Sequence, residues 1–247
     1  MTFRFAALLM AVLFTTAFST HAGLIAASTR VIFKEGQTQQ SLMLVNTNSW
    51  PVMVQTWVDH GDIDVASPSR IKTPFVSIPT LFSLEPQQMQ GLRLVYNQQA
   101  LPEDRESVFW LNLYEIPPKS TTPEPHMQSV TLTMNTQMKI FWRPKNLGEP
   151  EDISKKISFS RVSNGEKIEI ICRNASPWYV SFAGLSLMAG DKVYAVEQQP
   201  DMMVSPYGEK RYTVVVKTPP PAMLPLRIKA HLIDDIGQVY ESEFPFR

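Results

Sequence analysis

Val130-Thr131-Leu132-Thr133-Met134-Asn135-Thr136-Gln137-Met138-Lys139-Ile140-Phe141-Trp142-Arg143-Pro144 carries the clearest structural signal in the chain. Val130, Leu132, Met134, Met138, Ile140 and Trp142 share one parity, broken only by Thr136. Thr131, Thr133, Asn135, Gln137, Lys139 and Arg143 share the other. Side chains alternate across a strand, so this pattern predicts a β-strand with one apolar and one polar face. Its length, roughly twice that of an ordinary strand, exceeds what its own domain's core needs and predicts a partner for part of the apolar row.

Working outward, short alternating runs rich in Val, Ile, Thr and aromatics recur at 25–33, 41–46, 52–58, 75–78, 91–96 and 107–116, while helical periodicity is missing. Turn residues at Asn46-Thr47-Asn48, Pro51, Pro79 and Pro86 separate them. Seven strands in about 120 residues suit an immunoglobulin-like sandwich. Pro144-Lys145-Asn146-Leu147-Gly148-Glu149-Pro150 then reads as an interdomain connector. Beyond it, runs at 157–160, 167–173, 178–188, 192–197, 210–217, 226–232 and 239–245 predict a second β-rich unit. The expected organisation is all-β, with immunoglobulin-like β-sandwich domains at 23–144 and 151–247 joined by 145–150.

Composition narrows the function classes. The chain has 247 residues, 44% of them hydrophobic, which supports two cores. Lys plus Arg and Asp plus Glu are each 23, so the basic excess of a nucleic-acid binder is missing. Residues 1–22 read as a cleaved secretory signal: Arg4 begins it, an apolar run covers 5–18, and Thr20-His21-Ala22 presents small residues at the cleavage positions. Cys172 is the single cysteine, so no internal disulfide can form. Its setting in Ile168-Glu169-Ile170-Ile171-Cys172 predicts a small buried hydrophobe, with Arg173 on the opposite strand face.

No catalytic constellation emerges. Asp59-His60-Gly61-Asp62-Ile63-Asp64 lacks the spacing of a calcium loop and reads as a solvated turn. His126 and His231 share no zinc spacing, and no Gly-x-Ser-x-Gly elbow supplies a nucleophile. Asn174-Ala175-Ser176 is read as a turn rather than a glycosylation site. The expectation is a non-enzyme without cofactor, metal or small-molecule substrate. Arg30 and Lys139 stand out instead, each a cation among apolar strand neighbours. A carboxylate such as a chain terminus could bridge them, and a surface position or an internal salt bridge would also account for either.

These residues resemble the periplasmic chaperones of the chaperone–usher pilus pathway, in which two immunoglobulin-like domains form a boomerang. The resemblance is carried by Thr29-Arg30-Val31-Ile32, Gln55-Thr56-Trp57, Leu84-Glu85-Pro86, Asp104-Arg105-Glu106-Ser107, Asn112-Leu113-Tyr114-Glu115-Ile116-Pro117-Pro118 and Met138-Lys139-Ile140-Phe141-Trp142-Arg143-Pro144. Asn174-Ala175-Ser176-Pro177-Trp178-Tyr179-Val180 and Ile233-Asp234-Asp235-Ile236-Gly237 extend it more thinly. It implies that Arg30 and Lys139 anchor a subunit's terminal carboxylate, and that Val130, Leu132 and Met134 form the donor strand. It also implies an interdomain salt bridge of Glu106, Arg143 and Asp235. Pilus or fimbrial subunits and an outer-membrane usher are the implied partners, the periplasm the implied location, and self-association a cover for the free edge. The short, cysteine-free segment between Pro118 and Val130 resembles the branch with a short F1–G1 loop. The competing reading is a secreted β-sandwich adhesin or carbohydrate-binding protein, which needs a surface cluster of aromatics; Trp50, Trp57 and Trp178 are expected in cores instead.

Overall fold

The computed structural model describes residues 23–61, 71–118, 132–164, 167–215 and 225–246. The expected leader at 1–22, the expected donor residue Val130, His126 and residues 62–64 lie outside the described residues. The first half holds β1 (Leu24–Ala26), β2 (Arg30–Lys34), β3 (Gln39–Asn46), β4 (Val52–Asp59), β5 (Phe75–Ile78), β6 (Leu81–Leu84), β7 (Met89–Tyr96), β8 (Ser107–Ile116) and β9 (Met134–Arg143). They form two sheets, in the orders β1-β3-β7-β5 and β2-β9-β8-β4-β6. Period-two patterning explains the layer between them: Leu42, Leu44, Leu92 and Leu94 share one buried cluster with Val54, Leu111, Leu113 and Ile140.

The run at 25–33 is two strands rather than one. β1 pairs with β3, whereas β2 pairs with β9 in the other sheet. Between them Ser28 Oγ donates to the Arg30 carbonyl at 2.9 Å, so the chain changes sheets within a hydrogen-bonded bend. β2 and β9 run parallel, which sets Arg30 opposite Lys139 and Lys34 opposite Arg143. The segment after Pro79, expected as a turn, continues into β6 against β4.

The second half holds β10 (Ile157–Asn164), β11 (Lys167–Asn174), β12 (Val180–Ala189), β13 (Lys192–Ala195), β14 (Met203–Val204), β15 (Glu209–Val214), β16 (Leu226–Ile233) and β17 (Val239–Pro245). One sheet is β10-β11-β15, and the other is β13-β12-β16-β17 with β14 paired to β12. Phe159, Ile170, Leu187, Tyr212 and Ile228 fill the core between them, together with Cys172. Burial pushes the Cys172 thiol from its ordinary value of 9.0 up to about 12, the mark of an inert packed cysteine. Arg173 lies exposed on the other face and pairs with Glu209.

The halves share a turn device that ordinary strand patterning does not reveal. Asn46 Nδ2 donates to the carbonyls of Trp50 and Leu84, both at 3.0 Å, while its Oδ1 accepts the Asn48 N–H. Asn174 Nδ2 donates likewise to Trp178 and Ser205, at 2.7 and 3.0 Å, and its Oδ1 accepts the Ser176 N–H. Each asparagine is buried and staples a strand exit to a neighbouring loop. The 174–176 sequon is therefore a structural turn whose amide nitrogen is already committed.

Candidate functional site

β9 organises the site because its two faces meet different surroundings. Met138, Ile140 and Trp142 enter the first core. Beyond Thr136 the same parity emerges into solvent, with Met134 55% and Leu132 81% exposed. They line a groove of about 350 Å³ with Trp50, Val52 and Pro117. β9 is shorter than the alternation predicts: it begins at Met134, and Leu132 and Thr133 precede the ladder. On one side β8 pairs with residues 134–142. On the other, β2 covers only residues 139–143, so among the described residues the 134–138 edge has no neighbouring strand.

The opposite parity meets β8 at its outer end and the second half of the chain at its inner end. Asn135 and Gln137 each donate to Asn112 Oδ1 at 2.9 Å, and Asn112 donates to Asp59 at 2.6 Å. Asp59 also accepts from Trp57 Nε1 and the Gly61 N–H. It is buried, which corrects the expectation of a solvated turn at 59–64 for Asp59 alone, His60 being exposed: the carboxylate closes a polar network across β4, β8 and β9. Farther along, the Phe141 ring centroid lies 5.8 Å from that of Tyr179.

Arg30 and Lys139 are register partners at the inner end of this face. Arg30 places its guanidinium 5.8 Å from the Phe141 ring centroid and donates through Nη1 to the Ile233 carbonyl at 3.4 Å, while its buried Nε has no partner. Burial lowers the Arg30 pKa, against the charges of Asp235, Asp234 and Glu106. Lys139 has an acid: its Nζ lies 2.8 Å from Asp201 Oδ1. The salt-bridge alternative thus applies to Lys139, whereas no acid lies within salt-bridge distance of Arg30 among the described residues. A cavity of about 360 Å³ adjoins the arginine, lined by Phe141, Arg143, Tyr179, Asp235 and Tyr240 among others.

Glu106, Arg143 and Asp235 meet at the boundary between the halves. Arg143 lies 2.7 Å from Glu106 Oε1 through Nη2 and 2.7 Å from Asp235 Oδ2 through Nη1. Glu106 Oε2 accepts the Tyr179 N–H at 2.8 Å, and the Glu106 N–H donates to the Pro177 carbonyl at 2.9 Å. Arg143 and Glu106 are almost fully enclosed, with side chains 3% and 2% exposed, whereas Asp235 is 37% exposed. Burial pulls the Glu106 carboxyl above its ordinary pKa, while the Arg143 charge and the Tyr179 N–H oppose that shift. Burial also works against the Arg143 charge, but hydrogen bonding to Asp235 and attraction to Glu106 outweigh it and hold the guanidinium above its ordinary pKa.

Several participants escaped sequence reasoning. Glu149 accepts from Arg143 Nη1 at 3.0 Å and also pairs with Lys34; its place in the Pro-bounded connector is the one signal that could have revealed it. Asp201 carries no such signal, since it lies between strands and meets Lys139 only through the packing of the two halves; Asp59 and Asn112 stand in stretches quoted above, but their contact forms only when β4 pairs with β8. The tryptophans need a correction too. Trp50 is 44% exposed and Trp57 and Trp178 are half-buried, so none belongs to a core. Trp50 lines the groove beside Leu132 and Met134, and Trp178 lines the cavity beside Arg30.

Two family descriptions match this architecture in tandem. "Pili and flagellar-assembly chaperone, PapD N-terminal domain" matches residues 23–148, and "Pili assembly chaperone PapD, C-terminal domain" matches residues 152–244. The chain belongs to the PapD family of pilus-assembly chaperones. The chaperone is 36% identical over 187 residues to chaperone protein FimB/FhaD of Bordetella pertussis, covering 74% of this chain and 75% of that one. It is 33% identical over 195 residues to the probable fimbrial chaperone YadV of Escherichia coli, covering 78% of each. The crystal structure of YadV superposes with a TM-score of 0.73 at 28% identity, over 90% of this chain and 99% of YadV. SafB of Salmonella enterica, solved in complex with the SafA pilin, gives 0.68 at 26% identity, over 93% and 99%. Membership of a chaperone family sets aside the adhesin, carbohydrate-binding and enzyme readings.

Proposed function

We propose that this chaperone captures a pilus or fimbrial subunit by adding the open 134–138 edge of β9 to the subunit's incomplete sheet. One observation carries the reading: an edge that has no neighbouring strand among the described residues, with exposed Leu132 and Met134 beside it, runs directly into the Arg30–Lys139 pair. Backbone groups on such an edge supply hydrogen bonds, and alternate side chains supply pocket contacts; chaperone–pilin complementation is the standing example of this mode. Each donor side chain buried contributes roughly 1.5–3 kcal/mol before association costs. Val130, of the same parity in the sequence, is assigned to the same donor row. Arg30 and Lys139 receive the subunit's terminal carboxylate and set register, because a slip of one residue would turn Thr133 rather than Met134 into the groove.

The remaining roles follow from this reading. Residues 1–22 direct export to the periplasm and are removed, domains 23–144 and 151–247 hinge about 145–150, and Glu106–Arg143–Asp235 braces the angle between them. The segment before Val130 acts as a short F1–G1 loop. Delivery to an outer-membrane usher completes the cycle, and self-association covers the edge when no subunit is bound. The SafA–SafB complex supports the subunit as partner.

Affinity capture of the tagged mature chain from periplasm tests the reading, with subunit recovery as the expected result. Lys139→Ala combined with Arg30→Ala should abolish that recovery while leaving the chaperone folded. Undiminished recovery by the double variant would remove the carboxylate anchor; recovery of no subunit by the wild type would remove the function.

A further inference from the structure

The two cations of the cleft are not equivalent. Lys139 Nζ lies 2.8 Å from Asp201 Oδ1, while Arg30 retains an unpartnered buried Nε. Asp201 comes from the second half, in the segment between β13 and β14, and occupies a built seat. Its Oδ1 also accepts the Met203 N–H at 3.1 Å, closing an Asx turn, and its carbonyl accepts from Lys210 Nζ at 2.5 Å. Lys210 Nζ stands 4.0 Å from Asp201 Oδ2. Neighbouring Met202 is buried, and its carbonyl accepts the Tyr212 hydroxyl at 3.1 Å. The carboxylate is therefore presented to Lys139 by a fixed turn rather than by a loose side chain.

We propose that Asp201 is a resident competitor for Lys139, an internal carboxylate that the subunit's chain end must displace and that returns when the subunit leaves. The proposal rests on the anchor reading above and deepens it. Arg30 is the open half of the pair, so an incoming carboxylate meets it first and exchanges with Asp201 at Lys139 second. Without Asp201, departure of the subunit would leave two partly buried cations side by side with no acid in contact with either among the described residues, and only the more distant charges of Asp235, Asp234 and Glu106 acting on Arg30, a state that repulsion and desolvation disfavour. With Asp201, emptying the anchor restores an existing ion pair. The device lowers affinity modestly and eases hand-over, which suits a protein that must release what it holds.

Asp201→Asn tests this, because an asparagine Oδ1 still accepts the Met203 N–H and keeps the turn while removing the charge. The probes are a short synthetic peptide of alternating valine and threonine ending in a free carboxylate, and the same peptide ending in an amide. The variant should bind the acid peptide about two- to fivefold more tightly, as expected for a partly exposed ion pair. The gain should reside in a slower dissociation rate, shrink at high salt, and be missing with the amide peptide. Unchanged or weaker binding of the acid peptide by Asp201→Asn, with the wild type still preferring acid over amide, overturns the competitor while leaving the anchor standing. A wild type that does not distinguish the two peptides, or binds neither, overturns the anchor and the competitor with it. Asp201→Ser, whose hydroxyl can also close the turn, should reproduce the gain, and its failure to do so at unchanged thermal stability counts against the proposal.

Discussion

Replacing Arg143 by methionine should destabilise the chaperone far more than replacing Asp235 by asparagine, although both changes break the same cluster. Arg143 and Glu106 are almost fully enclosed, and after Arg143→Met the Glu106 carboxylate would keep only the Tyr179 N–H at 2.8 Å. Breaking a buried pair by removing one partner costs about 3–5 kcal/mol, because the other charge is stranded. Asp235 is 37% exposed and Arg143 would retain Glu106 and Glu149, so Asp235→Asn should cost about 0–1 kcal/mol. The pH dependence sharpens the contrast. Burial already raises the Glu106 pKa above its ordinary 4.5 with Arg143 pulling it down, and loss of Arg143 leaves burial unopposed by that charge. A carboxyl with a raised folded-state pKa is tolerated while protonated and loses stability as the pH rises through that value. The Arg143→Met deficit should therefore be largest near neutral pH and shrink as the pH approaches 4.5. Urea unfolding followed by circular dichroism at both pH values measures it. Equal losses for the two variants, or an Arg143→Met loss that does not change with pH, would refute the buried-pair argument.

Exposure divides the apolar row of β9 into two kinds of residue. Leu132→Ser and Met134→Ser should leave the thermal midpoint nearly unchanged, within about 0.5 kcal/mol, yet weaken subunit capture in a pull-down. Met138→Ala, by contrast, should cost about 2–5 kcal/mol because it hollows the first core. Cys172 should resist thiol reagents in the native state and react once the chain unfolds, which a colorimetric thiol assay under native and denaturing conditions will show. Its raised pKa also contributes stability that is complete below its ordinary 9.0 and is lost as the pH rises toward about 12; Cys172→Ala should blunt that alkaline loss in melts across the range. Gly61 has φ of +89°, and a Cβ there would lie 2.9 Å from the Trp110 ring. Gly61→Ala should therefore destabilise the first domain by about 1–3 kcal/mol in denaturant titration.

The all-β class, most strands and the two faces of residues 134–143 were legible in the residue order, because side-chain alternation is a local property of extended chain. It also distinguished Arg30 and Lys139 as cations among apolar neighbours, whereas the role of Arg143 came from the family resemblance alone. What it could not decide was how far the apolar row remains inside. Met138 and Met134 have the same parity and chemistry, yet one lies in the core and the other in solvent because the sandwich ends between them. Nor could alternation show that 25–33 is split between two sheets, since both pieces keep the same period. Folding aligned Arg30 with Lys139 through the parallel β2–β9 pairing, brought Asp201 to that lysine, and enclosed Glu106 with Arg143. Those contacts join residues far apart in the chain, and a charge is identified by its type locally but paired only by folding.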